Sequence, residues 1–167
     1  QPPPRRRQEA HTVGAWLLLS LLFPHSYSWR RAPATIRVSP AIPAMRSLID
    51  RYIDAYNRID VDAMLLTLHP AIVFENYAGG QCTLRTEGLL DFERLARSTQ
   101  PLFSARRQVI TEYREQGDAA WAEIQFDGTF AIDLPNGIRA GQRISMPGRS
   151  EYRVFDGLLV YIADHSA

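Results

Sequence analysis

The chain has 167 residues, enough for one domain with a sizeable core and short of what two would need. A hydrophobic share of 46%, a charged share of 22% and a net charge of +1 are those of an ordinary globular protein. The near-neutral balance excludes a strongly basic nucleic-acid binder, and the single cysteine, Cys82, excludes an intrachain disulfide or a cysteine-based metal centre.

The charge is unevenly spread. Residues 1–44 hold six Arg against one acid, Glu9, together with seven of the 11 prolines, whereas residues 45–167 hold 13 Arg against 17 acids. The opening "QPPPRRRQEA" is basic and proline-rich, and "VGAWLLLSLLF" (13–23) is apolar. That run is too short to span a bilayer, which takes about 20 residues. It has two readings. It is the apolar stretch of a signal peptide after Arg5-Arg6-Arg7, with cleavage near Ser26-Tyr27-Ser28, or it is sequence upstream of a natural start at Met45. The first implies a secreted protein and the second a cytoplasmic one. Both leave 1–44 outside the fold and 45–167 as the domain.

In chain order, Leu48, Ile49, Tyr52, Ile53, Tyr56 and Ile59 recur at three- and four-residue steps and predict an amphipathic helix over 46–59. Asp60 is placed to cap a second helix that buries Met64, Leu65 and Leu68 and ends at His69-Pro70. A short strand (71–77), a turn at Gly79-Gly80 and a second short strand (81–86) follow. Thr86 is then placed to cap a third helix, 87–99. Turn signals at Gln116-Gly117-Asp118, Leu134-Pro135-Asn136-Gly137 and Asp156-Gly157 divide the rest into four long strands, about 103–115, 119–133, 140–155 and 158–165. In the second of these, Ala120, Ala122, Ile124, Phe126, Phe130 and Ile132 form one apolar face. Helices first and a meander after predict an α+β domain with three helices on one face of an antiparallel sheet.

With these elements in this order, the chain resembles the nuclear transport factor 2-like superfamily. That group includes ketosteroid isomerases, SnoaL-like polyketide cyclases and limonene epoxide hydrolase. "RYIDAYNRIDVDAMLLTLHPAIVFENYAGG" resembles the opening helix pair and first strand, "TEGLLDFERLA" the third helix, and "EYRVFDGLLVYIAD" the closing hairpin. The resemblance covers essentially all of 46–165. It implies a curved sheet wrapped by helices into a cone around a mostly apolar pocket, often in dimers.

The resemblance also carries site positions. In ketosteroid isomerases a first-helix tyrosine and a protonated acid form the oxyanion hole, and an aspartate after the first strand moves the proton. Tyr52 falls at the tyrosine's place and Asn76 at the aspartate's. A carboxamide cannot take a proton near neutral pH, so isomerisation by the usual residues is not expected. Glu75 is adjacent, but strand alternation puts Ile72, Phe74 and Asn76 on one face and Val73, Glu75 and Tyr77 on the other. The second acid position falls on Ser150 or, one register over, on Glu151, and alternation favours Ser150. Epoxide hydrolases of this superfamily use Asp-Arg-Asp with a Tyr and an Asn. Tyr52 and Asn76 fit the last two roles, but the central strand lacks Arg-x-Asp. SnoaL-like cyclases use a single pocket acid, for which Glu151 and Asp164 are the candidates.

Plainer roles stand beside these. Asn76 is also suited to capping the turn that starts at Tyr77, and Glu151 to cross-strand pairing beside Arg149 and Arg153. His69 reads as a helix-terminus residue and His165 as part of a fraying end. With only these two histidines in the domain, neither a metal nor another cofactor is expected. The leading expectation is a pocket lined by Tyr52, Ile72, Phe74, Asn76, Phe126 and Tyr152. It would bind a small hydrophobic or carbonyl-bearing molecule in a homodimer that binds neither nucleic acid nor membrane. The alternatives are an isomerase, cyclase or hydrolase using Tyr52 with Glu151 or Glu75, and a non-catalytic dimerising scaffold. A carboxyl group inside the pocket would mark the enzyme; neutral polar groups alone would mark the binding module.

Overall fold

The computed structural model describes residues 45–166; the segment 1–44 and its two readings lie outside them. Helix α1 spans Met45–Asn57 and buries Leu48, Ile49, Tyr52 and Ile53, the stripe that its periodicity predicts. Asp60 caps the short α2, Val61–Leu65, by accepting a hydrogen bond from the Ala63 amide at 3.0 Å. The chain is extended again from Leu68, so His69-Pro70 begins a strand rather than closing a helix. There His69 Nδ1 accepts from the Ala71 amide at 3.0 Å.

Strand β1 runs Leu68–Ala78 and β2 runs Gln81–Glu87. Thr86 lies in β2, and Gly88, at a φ of 85°, takes the N-cap position of α3, Leu89–Thr99. That left-handed angle is one that glycine adopts without steric penalty. After a 3-10 turn at Gln100–Leu102 come β3 (Phe103–Gln116), β4 (Ala119–Phe130), β5 (Arg143–Phe155) and β6 (Leu158–Ser166).

The six strands form one curved, unclosed sheet in the order β2-β1-β6-β5-β4-β3. Every neighbouring pair is antiparallel except β1 and β6, which run parallel. The sheet is therefore mixed rather than purely antiparallel, and β1, at 11 residues, is longer than either of its neighbours, β2 with 7 and β6 with 9. Closing on β6 gives β1 a second partner strand and puts the last strand in the middle of the sheet.

The helices cover one face, with α1 on β3 and β6 and α3 on β1 and β2. Beneath them Ile72, Phe74, Ala120, Ala122, Ile124, Tyr152, Leu159 and Ile162 join the helical apolar residues in the main core. Phe103, Phe126, Phe130, Leu102 and Met146 form a second cluster at one end. The apolar face expected of β4 is buried through Phe130; Ile132 lies beyond the strand and is exposed. Among the described residues no helix is long and apolar enough to cross a membrane.

Candidate functional site

A cavity of about 60 Å3 opens between the helices and the inner face of the sheet. This is roughly five times the space one water needs. Its walls are apolar, with Phe74, Phe92, Leu95, Phe103 and Phe126 among them, and its polar side chains include Tyr52, Tyr56, Arg106 and Asp164. Strand pairing explains how the acid gets there. Asn76 on β1 is opposite Asp164 on β6, which is opposite Ser150 on β5, so three neighbouring strands place polar side chains in one inward-facing row. All three are buried.

Asp164 is the acid of this cavity. Burial pushes its carboxyl up to about 7, against the pull of a hydrogen bond that Ser150 Oγ donates to Oδ1 at 2.5 Å. Tyr52 is within electrostatic reach. Burial, and then the neighbouring Asp164, push its phenol well above the usual tyrosine value, so it stays a proton donor. Burial likewise raises Tyr56 to about 12, with Arg106 opposing. Tyr152 is shifted upward too, by burial and by Asp164.

The other residues singled out in the sequence are distributed as follows. Tyr52, Phe74 and Phe126 line the cavity, whereas Ile72 and Tyr152 pack in the core beneath it. Asn76 is fully buried but tied sideways to β2: its Nδ2 donates to Thr83 Oγ1 at 2.8 Å, and that hydroxyl donates to the Asn76 carbonyl at 3.1 Å. The strand runs on to Ala78, so Asn76 does not cap the turn. Ser150 faces inward, which sends Glu151 outward, where it is partly exposed and pairs with Arg149 at 3.2 Å and His165 at 3.4 Å.

Glu75 also faces away from the cavity. A register shift follows Asn76 in the β1–β2 pairing, but it does not re-aim Glu75. Instead Glu75 accepts from Tyr161 at 2.6 Å, from Tyr77 at 3.0 Å and from Arg85. Burial pushes its carboxyl up, but the hydrogen bonds from Tyr161, Tyr77 and Arg85 outweigh that and hold it below the usual value. It is an ionised, satisfied group.

Tyr56 and Arg106 are polar cavity residues that were not among the sequence candidates. Tyr56 continues the Tyr52 stripe one helical turn on. Arg106 is hidden because its strand buries the polar side of its alternation: Arg106 and Gln108 are buried while Val109 is exposed. Asn57 explains this, donating to the Gln108 carbonyl at 3.0 Å and accepting from its amide at 2.6 Å, which fixes the end of α1 to β3. Among the described residues no group of three or more His, Cys, Asp or Glu side chains is placed to hold a metal ion.

Chemically, the site offers an acid that exchanges its proton near neutral pH, beside phenols that keep theirs, in an apolar enclosure. The solved structures that share this fold have varied assignments. An inferred polyketide cyclase from Xanthomonas campestris is 23% identical, with a TM-score of 0.60 over 73% of this chain and 89% of that one. IdmH of Streptomyces antibioticus, also an inferred polyketide cyclase, is 18% identical with a TM-score of 0.60, covering 71% and 88%. AclR of Streptomyces galilaeus, an inferred hydroxylase, is 20% identical with a TM-score of 0.59, covering 74% and 89%. At these identities the likeness establishes the fold. No curated protein matches the chain. The model of the SnoaL-like domain matches residues 49–162, from the first turns of α1 into β6, two residues short of Asp164. The chain belongs to the SnoaL-like domain family.

Proposed function

We propose that this domain binds a small apolar molecule bearing a carbonyl group and moves a proton on it, with Asp164 as the general acid/base. The observation that carries the reading is the carboxyl of Asp164, buried at the wall of an apolar cavity and held by burial near a pKa of about 7. A carboxyl so placed carries its proton about half the time at neutral pH, which suits a group that must both take and give one. Tyr52 supplies the second part. Its phenol lines the same cavity, stays protonated and is suited to donate to a carbonyl oxygen as negative charge develops there. Asn76, at the position of the isomerase base, acts as a strand-to-strand tie and moves no proton.

The cyclase assignments among the structural neighbours support a polyketide-like substrate, a chain of carbonyls with acidic C–H groups between them. The test is a thermal-shift screen of enones, aromatic polyketides, steroids and epoxides, followed by turnover assays on every compound that stabilises the protein. Turnover that falls at least 100-fold in Asp164→Asn, with binding retained, is the expected result. Undiminished turnover in that variant would remove Asp164 from the chemistry.

A further inference from the structure

Arg106 is a charged side chain only 7% exposed, and it lines the apolar cavity. Its Nε donates to the Tyr56 carbonyl at 2.8 Å, and its guanidinium lies 3.8 Å over the Tyr56 ring. Those contacts account for one of five N–H donors and one face. No carboxylate among the described residues is within ion-pair distance of it, and its two terminal nitrogens make no hydrogen bond to another described residue.

A buried guanidinium cannot shed its proton, and leaving it uncompensated in an apolar site is unfavourable. Asp164, the one carboxyl among the cavity-lining residues, is not its counter-ion. A carboxylate paired with arginine is held below its usual pKa, whereas Asp164 is raised and shows no influence of Arg106.

Resting on the proposed reading of the cavity as a ligand site, we infer that Arg106 recognises a carboxylate on the ligand, so that the substrate class is apolar carboxylic acids. With Nε committed to Tyr56, the edge formed by the two terminal nitrogens is the part left for the ligand. Its two parallel donors match the two oxygens of a carboxylate. The ring of Tyr56 and the clamp between Asn57 and Gln108 hold the guanidinium in place before any ligand arrives. Gly128, the cross-strand partner of Arg106 on β4, adds no side chain on that side. The acid at Asp164 and the cation at Arg106 then divide the ligand between them, one for the reacting carbonyl and one for the carboxylate.

The experiment uses trans-cinnamate and trans-cinnamamide, which match in shape and differ in charge, titrated at pH 6 into the 15N-labelled full chain and followed by amide chemical shifts. Wild type is expected to bind cinnamate at least tenfold more tightly, with shifts at cavity-lining residues. Arg106→Gln is expected to bind the two alike, and Arg106→Lys to keep part of the preference. Equal binding of both probes in the wild-type cavity, or a preference that survives in Arg106→Gln, would overturn the assignment of Arg106 while leaving the cavity reading intact. Binding of neither would overturn both. If Arg106→Gln fails to fold, the wild-type comparison and Arg106→Lys decide.

Discussion

Ser150 and Asp164 face each other across the β5–β6 pair, and the serine hydroxyl donates to the buried carboxyl at 2.5 Å. This bond stabilises the ionised form and keeps Asp164 from rising further. Replacing Ser150 with Ala is expected to shift the carboxyl titration upward, read by 13C NMR of the aspartate side chain. The same shift should appear in the acidic limb of any pH–rate profile.

Asp164 also governs how stability depends on pH. Its pKa is raised in the fold, to about 7, above the value near 3.9 of an unfolded chain. The native state therefore holds a proton that the unfolded state has released between about pH 4 and 7. Stability from this group is fully present below about pH 4 and is lost as pH rises through about 7. Asp164→Asn, which has no charge to bury, is expected to flatten that slope. Above pH 7 it should be more stable than wild type by an amount on the order of 4 kcal/mol. Denaturant midpoints at pH 5 and pH 8.5 measure both.

Tyr52 is deeply buried, yet its hydroxyl makes no hydrogen bond to another described residue. Tyr52→Phe is therefore expected to change stability by less than about 1 kcal/mol, because no protein partner is lost. Its effect should fall on ligands instead. A compound that stabilises wild type through a carbonyl should lose most of its thermal shift in this variant.

Glu75 gives the opposite pattern. Its three donors, Tyr161, Tyr77 and Arg85, tie β1, β6 and β2 together on the outer face of the sheet. Glu75→Gln is expected to cost about 1–3 kcal/mol, since it weakens the bonds to a buried, ionised acceptor. Because its pKa is lowered in the fold, this stability is present above about pH 4.3 and is lost as pH falls through the folded value. Denaturation in urea at pH 7 and pH 3 should show the difference shrinking at low pH, while ligand binding to the cavity is unaffected at pH 7.

Gly128 limits the cavity from the other side. A Cβ there would sit 2.9 Å from Phe103 Cε1 and 3.0 Å from Phe126 Cζ, both in rings that line the cavity. Gly128→Ala is expected to displace those rings, costing about 1–3 kcal/mol in denaturant and lowering ligand affinity.

The helices were legible because α1 and α3 are amphipathic at a single period, and the strands because each hairpin carries its own turn residues. The parallel partnership of β1 and β6 was not, because no local signal reports which strand sits beside a strand far away in sequence. The site suffered from a subtler effect. Counting outward from the turn that pairs Phe155 with Leu158 sets Asp164 opposite Arg149, which faces outward. A register shift between Arg153 and Val154 moves it opposite Ser150, onto the inner face. One unannounced residue thus decides whether the last acid of the chain is solvent-exposed or part of the cavity. Arg106 was illegible for another reason. On β3 the apolar alternation points the wrong way, and only the partners supplied by Tyr56 and Asn57 make the polar side the buried one.

The position of β6 also constrains the order of assembly. It is the last strand of the chain and the third in the sheet, lying between β1 and β5. During synthesis, β3, β4 and β5 can zip together as hairpins, and β1 with β2, but within the sheet no strand joins the two sets until β6 is available, and only the helices, α1 on β3 and α3 on β1, connect them. Before β6 is in place the sheet is two fragments whose facing edges, on β1 and β5, are open, a geometry exposed to mispairing. The segment that closes that gap is the one that carries Asp164, so the protein acquires its finished sheet and the buried carboxyl of its cavity in the same step.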